Sequence, residues 1–230
     1  MMQDRVISSE AAEEQRRLML GVYNWMMTAL LITTGVAYFV STSETIMSYM
    51  MQAPMLFFGL FILQIFAVGS LSLGIRKMDA ATATGIFFVY SALNGLTLSF
   101  IFLAYTQAQI TSAFFTTALM FGAMSFFGYT TKADLTSWGS FFFMGLIGII
   151  IGSVVNIFLR SPALYWLITY IGVFVFVGLT AYDTQKIKRM LSMGHSEQDM
   201  KKLSILGALT LYLDFINLFL LMLRLFGRRR

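Results

Sequence analysis

ALTLYLDFINLFLLMLRLFG, residues 208–227, decides how this chain is read. Twenty predominantly apolar residues are enough to cross the hydrocarbon core of a bilayer as a helix. The stretch nevertheless carries Asp214, near the middle of the wider apolar run Ser204–Phe226. An acid at that depth costs roughly 2.5–3.5 kcal/mol on insertion scales. Helical steps of three and four from Gly207 bring Thr210, Asp214, Asn217, Leu221 and Arg224 onto one face. The remainder is Leu, Phe, Ile and Met. A helix with one polar seam and an otherwise apolar surface suits a place among other helices, its seam turned to a cavity or a second carboxylate.

Working outward, the whole chain has membrane composition. Of 230 residues, 58% are hydrophobic and only 12% charged, and the mean hydropathy is +0.76. So few charges could not cover the surface of a soluble domain of this size. Seven segments have the length and apolarity of spans: Leu18–Val40, Pro54–Ile75, Ala80–Ala104, Ile110–Thr131, Trp138–Leu159, Ala163–Tyr182 and Ser204–Phe226. The expected fold class is therefore an all-α polytopic membrane protein. The expected organisation is a polar N-terminal tail over residues 1–17, one transmembrane helical domain over 18–227, and a basic tail over 228–230. Residues 1–17 lack the apolar core and cleavage site of a signal peptide. The longer connections are Ser41–Ala53 and the polar stretch Gln185–Leu203.

Orientation follows from the basic residues. With the N-terminus cytoplasmic, Arg5, Arg16, Arg17, Arg76, Lys77, Lys132, Lys186, Lys188, Arg189, Lys201 and Lys202 lie inside. Arg160, Arg224 and Arg228–Arg230 lie outside. A re-entrant last segment would return all but Arg160 to the inside, so charge and segment length disagree there. Seven full spans are preferred, because late charges often fail to override earlier helices. The net charge of +5 reports these helix flanks, not nucleic-acid binding. With no Cys there is no thiolate chemistry. The single His195 sits in a polar loop without a metal-ligand pattern. Gly145, Gly148 and Gly152 recur at three and four residues, a close-packing face for helices in lipid. The turns Gly74–Asp79 and Gly128–Asp134 resemble each other and hint at a repeated hairpin.

Two aspartates could carry chemistry: Asp214, and Asp183 in Gly178-Leu-Thr-Ala-Tyr-Asp-Thr-Gln185, expected at the basic end of the sixth span. Alone, Asp183 reads as a cap or a surface ion pair with Lys186 and Lys188. On neighbouring helices the two would share a proton and hold one net negative charge. Such a pair senses pH and attracts a hard cation such as Ca²⁺. Tyr182, Thr210 and Asn217 could add donors or oxygen ligands, and Arg76 is the nearest candidate cation. The motifs HExxH, GxGxxG, the P-loop and GxSxG are absent. An intramembrane aspartyl protease would pair Tyr-Asp with Gly-x-Gly-Asp. Tyr182-Asp183 fits the first half, but Leu-Tyr-Leu precedes Asp214. The chain is therefore not expected to be an enzyme.

Ala181-Tyr-Asp-Thr-Gln185 followed by Leu209-Thr-Leu-Tyr-Leu-Asp-Phe-Ile-Asn-Leu-Phe219 resembles the signature of the Bax inhibitor-1, or transmembrane Bax inhibitor motif, family, nearest its bacterial inner-membrane branch. The resemblance covers nearly the whole chain. It implies a seven-helix bundle with the last helix central. It also implies a pH-sensitive Ca²⁺ leak gated by two aspartates that share a proton, here Asp183 and Asp214. An arginine at the end of the second helix would latch the pair; Arg76 is the best match and Lys77 a near alternative. Some members carry an acid earlier in that helix, where this chain has Gln64, so no second Ca²⁺ ligand set is carried over.

The expected function is thus a cation leak channel or channel-like transporter of the inner membrane. Its gate and pH sensor would be Asp183 and Asp214, which are also the candidate Ca²⁺ ligands, and its partners the lipid bilayer with Ca²⁺ or protons. No resident cofactor is expected. Two alternatives remain: a membrane-embedded regulator of a membrane protease or other complex, acting through Met1–Arg17, and a proton-coupled transporter.

Overall fold

In the computed structural model, residues 2–192 and 196–227 are described, with side chains except at 2–12, 54 and 76. His195, Arg228–Arg230 and the side chain of Arg76 therefore lie outside the described residues, as does the expected basic tail. The elements are α1 (Met2–Thr42), α2 (Glu44–Gln52), α3 (Pro54–Gly74), a 3-10 turn at Ile75–Lys77, α4 (Ala80–Leu98), α5 (Ile101–Ala104), α6 (Gln107–Thr130), α7 (Thr136–Leu159), α8 (Pro162–Leu191) and α9 (Glu197–Phe226). No strand occurs among the described residues, and seven helices are long and apolar enough to span a membrane. The protein is an all-α polytopic membrane protein.

The helix ends depart from the apolar runs in four places. Residues 2–17 are helical and continuous with the first span; Ala11-Ala-Glu-Glu-Gln-Arg-Arg17 is a run of strong helix formers. The Ser41–Ala53 link holds α2, capped by the Ser43 hydroxyl on the Ile46 N–H. Most of the polar stretch Gln185–Leu203 is helix. Ser196 starts α9 by accepting from the Asp199 N–H at 3.1 Å, and Glu197–Lys201 and Asp199–Lys202 pair across one turn at 2.9 and 3.3 Å. Finally, the helix of the sixth span does not end at Tyr182 but continues to Leu191. Both α8 and α9 have 30 residues, about 45 Å at 1.5 Å per residue, so they outlast a core of roughly 30 Å.

The chain packs as two compact units. The first holds residues 1–104 and 187–212. In it α4 packs against both α1 and α3. Gln64, where an acid was considered, is half-buried and ties α3 to α4, its amide donating to the Leu93 carbonyl at 3.0 Å and to Thr97 at 3.2 Å. Tyr212 is fully buried. Its hydroxyl shares a hydrogen bond with Thr33 at 2.7 Å and accepts from the Asn94 amide at 2.9 Å. The rings of Phe87 and Tyr90 meet its ring edge-on.

The second unit holds residues 105–186 and 213–230. Here α7 and α8 run antiparallel with small residues at their seam. Gly139 leaves room for the Tyr182 ring, Gly178 for Phe142, Gly145 for Val175 and Gly152 for Ile168. Gly148 faces open space, so the expected close-packing face is carried by Gly145 and Gly152 without it. Close backbone approach through small residues is how helices associate in lipid, where no water-driven force operates between them. The α7–α8 turn and the last turn of α9 line one cavity. The C-terminal end of α9 therefore lies on the side where α8 begins, and α9 has the length and apolarity of a full span. It is also the most enclosed of the seven: 72% of its apolar window is buried, against at most 44% for any other.

Candidate functional site

The site is built on α8 and α9 in the second unit. Asp183 lies eight residues before the end of α8 and is only 8% exposed. The expectation of a helix-end cap is therefore corrected: Asp183 is a buried acid within a continuous helix. The misreading came from Lys186, Lys188 and Arg189, which look like a flank although the helix continues through them.

The neighbouring residues hold this part of α8 in place. Gly128 on α6 allows the two backbones to touch at the Ala181 carbonyl, where no Cβ would fit. Thr184 shares a hydrogen bond with Ser125 of α6 at 2.9 Å and donates to the Thr180 carbonyl of its own helix at 2.7 Å. The Gln185 side chain closes the α6–α7 turn from below. It accepts from the Leu135 N–H at 3.0 Å and donates to the Ala133 carbonyl at 2.8 Å. Ser125, Thr184 and Gln185 were not singled out in the sequence. Their contacts are long-range, so only the Tyr-Asp-Thr-Gln context marked them.

Asp214 lies on α9, 5% exposed. Its Oδ2 is buried with no hydrogen-bond partner among the described residues. The two carboxyls are close enough to interact electrostatically, and the Lys186 ammonium acts on Asp183. The structure thus brings together the two aspartates singled out in the sequence. Around Asp214 the packing is aromatic, with Phe215 edge-on to Phe114 and Phe121.

The supporting residues are placed differently. Tyr182 packs its ring beside Gly139, under the Lys186 ammonium at 5.7 Å. Asn217 and Thr210 each donate to the carbonyl four residues earlier in α9, at 2.8 Å to Leu213 and 3.0 Å to Leu206. In a span this satisfies a polar side chain without a partner helix. Arg76 lies in the 3-10 turn Ile75–Lys77 of the first unit.

Among the described residues no three His, Cys, Asp or Glu side chains cluster as a metal site. Two carboxylates fall short of the six to eight oxygens that Ca²⁺ takes. A Ca²⁺ ion held by this pair would need further oxygens from backbone carbonyls or water.

The family model described as inhibitor of apoptosis-promoting Bax1 matches residues 15–230. The chain belongs to the Bax inhibitor-1 family. Among its relatives, the inner membrane protein YbhL of Escherichia coli K12 is 53% identical over 92% of both chains. Protein RP147 of Rickettsia prowazekii is 47% identical over 95% of this chain and 92% of its own. A protein of Borreliella burgdorferi is 44% identical over 94% of both. With its seven apolar helices, this Bax inhibitor-1 family chain is a multi-pass inner-membrane protein.

Proposed function

We propose that the protein is a pH-sensitive cation leak, a channel or channel-like transporter with Ca²⁺ as permeant ion, gated by Asp183 and Asp214. The observation that carries this reading is the buried acid pair, one oxygen of which has no hydrogen-bond partner among the described residues. An ionisable residue inside a span faces a bundle interior or a cavity and marks an ion or proton path by default. With a proton between them the two carboxyls hold one net negative charge, enough to attract a cation but too few oxygens to trap it. Adding a proton removes that charge, weakens the hold on a latch cation, for which Arg76 is the candidate, and loosens the helices.

The test is Ca²⁺ flux into proteoliposomes across a pH series, for the native chain, Asp183→Asn and Asp214→Asn. Flux that rises as pH falls in the native chain, and loses that dependence in both variants, supports the gate. Native protein without flux at any pH overturns it and leaves the aspartates a structural pair in a membrane-embedded regulator. Arg76→Gln should make flux less dependent on pH if the latch operates.

A further inference from the structure

At the end of the second unit where α9 finishes, an open cavity of about 810 Å³ lies between the α7–α8 turn and the last turn of α9. Its size is in the range of small-molecule sites, roughly 300–1,000 Å³. Arg160 and Arg224 both line it, together with Tyr165, Trp166 and Phe226, and no Asp or Glu is among the described lining residues. Arg224 lies against the Tyr165 ring, 5.6 Å from its centre.

Three observations bear on what this cavity takes. With the N-terminus inside, seven spans put it on the non-cytoplasmic side, where lysine and arginine are normally scarce. Two arginines gathered there in one cavity call for an anion. Second, Arg160 ends α7 in the left-handed region, φ 50° and ψ 32°, a conformation that glycine or asparagine adopts at less cost. The turn is held by Asn156, whose backbone carbonyl accepts from the Arg160 N–H at 2.8 Å and whose side chain accepts from the Ser161 N–H at 2.9 Å. The cavity also includes Ser161 and Pro162, where α8 begins, so the positive end of that helix dipole adds to the guanidinium charge. Third, the rim is amphipathic: Trp166 is 41% and Phe226 47% exposed beside the arginines. Aromatic rings at this level are typical of the membrane–water interface.

We propose that this cavity binds the phosphate of an anionic phospholipid in the outer leaflet. Arg160 and Arg224 hold the phosphate oxygens, and Trp166 and Phe226 border the start of the acyl chains. Arginine is suited to this role because its planar fork presents paired donors to phosphate oxygens. A soluble phosphate would gain from the arginines but not from the apolar rim.

The test is the thermal unfolding midpoint of the full chain in neutral detergent. Mixed micelles of phosphatidylglycerol are compared with phosphatidylcholine, and with inorganic phosphate at equal concentration. Phosphatidylglycerol should raise the midpoint by about 4 °C, and the other two should not. Arg160→Asn and Arg224→Gln should each lose at least half of that rise, while Lys132→Gln, at the opposite membrane face, keeps it. Asparagine at 160 tolerates the left-handed backbone, so that variant carries the test if Arg224→Gln does not fold. No rise with phosphatidylglycerol overturns the site, as does a full rise in both arginine variants. An equal rise with inorganic phosphate overturns the lipid assignment in favour of a soluble anion.

Discussion

Gly128 presses its bare Cα face against the carbonyl of Ala181, two residues before Asp183. A methyl group at 128 would overlap backbone atoms of α8, which cannot rotate aside as a side chain can. Gly128→Ala should therefore destabilise the fold by about 1–3 kcal/mol, the usual cost of overpacking. Gly122→Ala on the same helix meets nothing within 4 Å and should be neutral or slightly stabilising. Thermal unfolding in detergent compares the two, and equal midpoints would contradict the close contact.

The acid pair predicts a pH-dependent flux with a definite sign. Protonation removes negative charge from Asp183 and Asp214, so a latched gate should open as pH falls. Asparagine mimics the protonated acid without titrating, so Asp183→Asn and Asp214→Asn should each conduct at high pH, where the proposed gate would hold the native chain closed. A tenfold or greater flux difference at alkaline pH corresponds to about 1.4 kcal/mol of gating energy. Native-like closure in both variants would show that the pair does not gate.

Asp79 predicts a separate stability effect at low pH. It caps α4, its Oδ1 accepting from the Thr82 N–H at 2.6 Å, and this bond holds its carboxyl below the usual carboxylate range. A carboxyl more acidic in the folded chain than in the unfolded one stabilises fully above the unfolded value, near 4. That contribution disappears as pH drops through the folded value. Asp79→Ala should thus unfold at a lower temperature than the native chain at pH 7, and the gap should close below about pH 4. A gap that stays constant across pH would mean that ionisation of the cap adds nothing to its stabilisation.

The Tyr212 hydroxyl predicts a cost in the first unit. Replacing it by hydrogen in Tyr212→Phe leaves the Asn94 amide without this acceptor at 2.9 Å and Thr33 without its 2.7 Å contact. Buried side-chain hydrogen bonds in membrane helices are worth about 0.6 kcal/mol on average and up to about 1.7. Urea or thermal unfolding should place Tyr212→Phe in that range. Adding Asn94→Leu to that variant should cost less than Asn94→Leu does alone, because the two share one bond.

The membrane spans were legible in the sequence because a bilayer demands runs of about twenty apolar residues, and little else in a chain of this composition produces them. Asp214 was legible for the same reason, being an acid where the lipid penalises acids. Helix ends were not. Hydropathy marks where the chain leaves lipid, whereas α8 runs on through Lys186, Lys188 and Arg189, and α9 begins before its apolar run, at the Ser196 cap and the Glu197–Lys201 pair. Asp183 was therefore placed at a helix terminus, although the folded chain buries it in mid-helix. Its neighbours Ser125 and Gln185, and the approach of Gly128 to Ala181, depend on α6 and α8 meeting in one register. So does the gathering of Arg160 and Arg224 in one cavity, 64 positions apart in the chain. Local composition determined which segments leave water. Only packing between helices, set by where a glycine lets two backbones touch, decided which polar side chains meet inside.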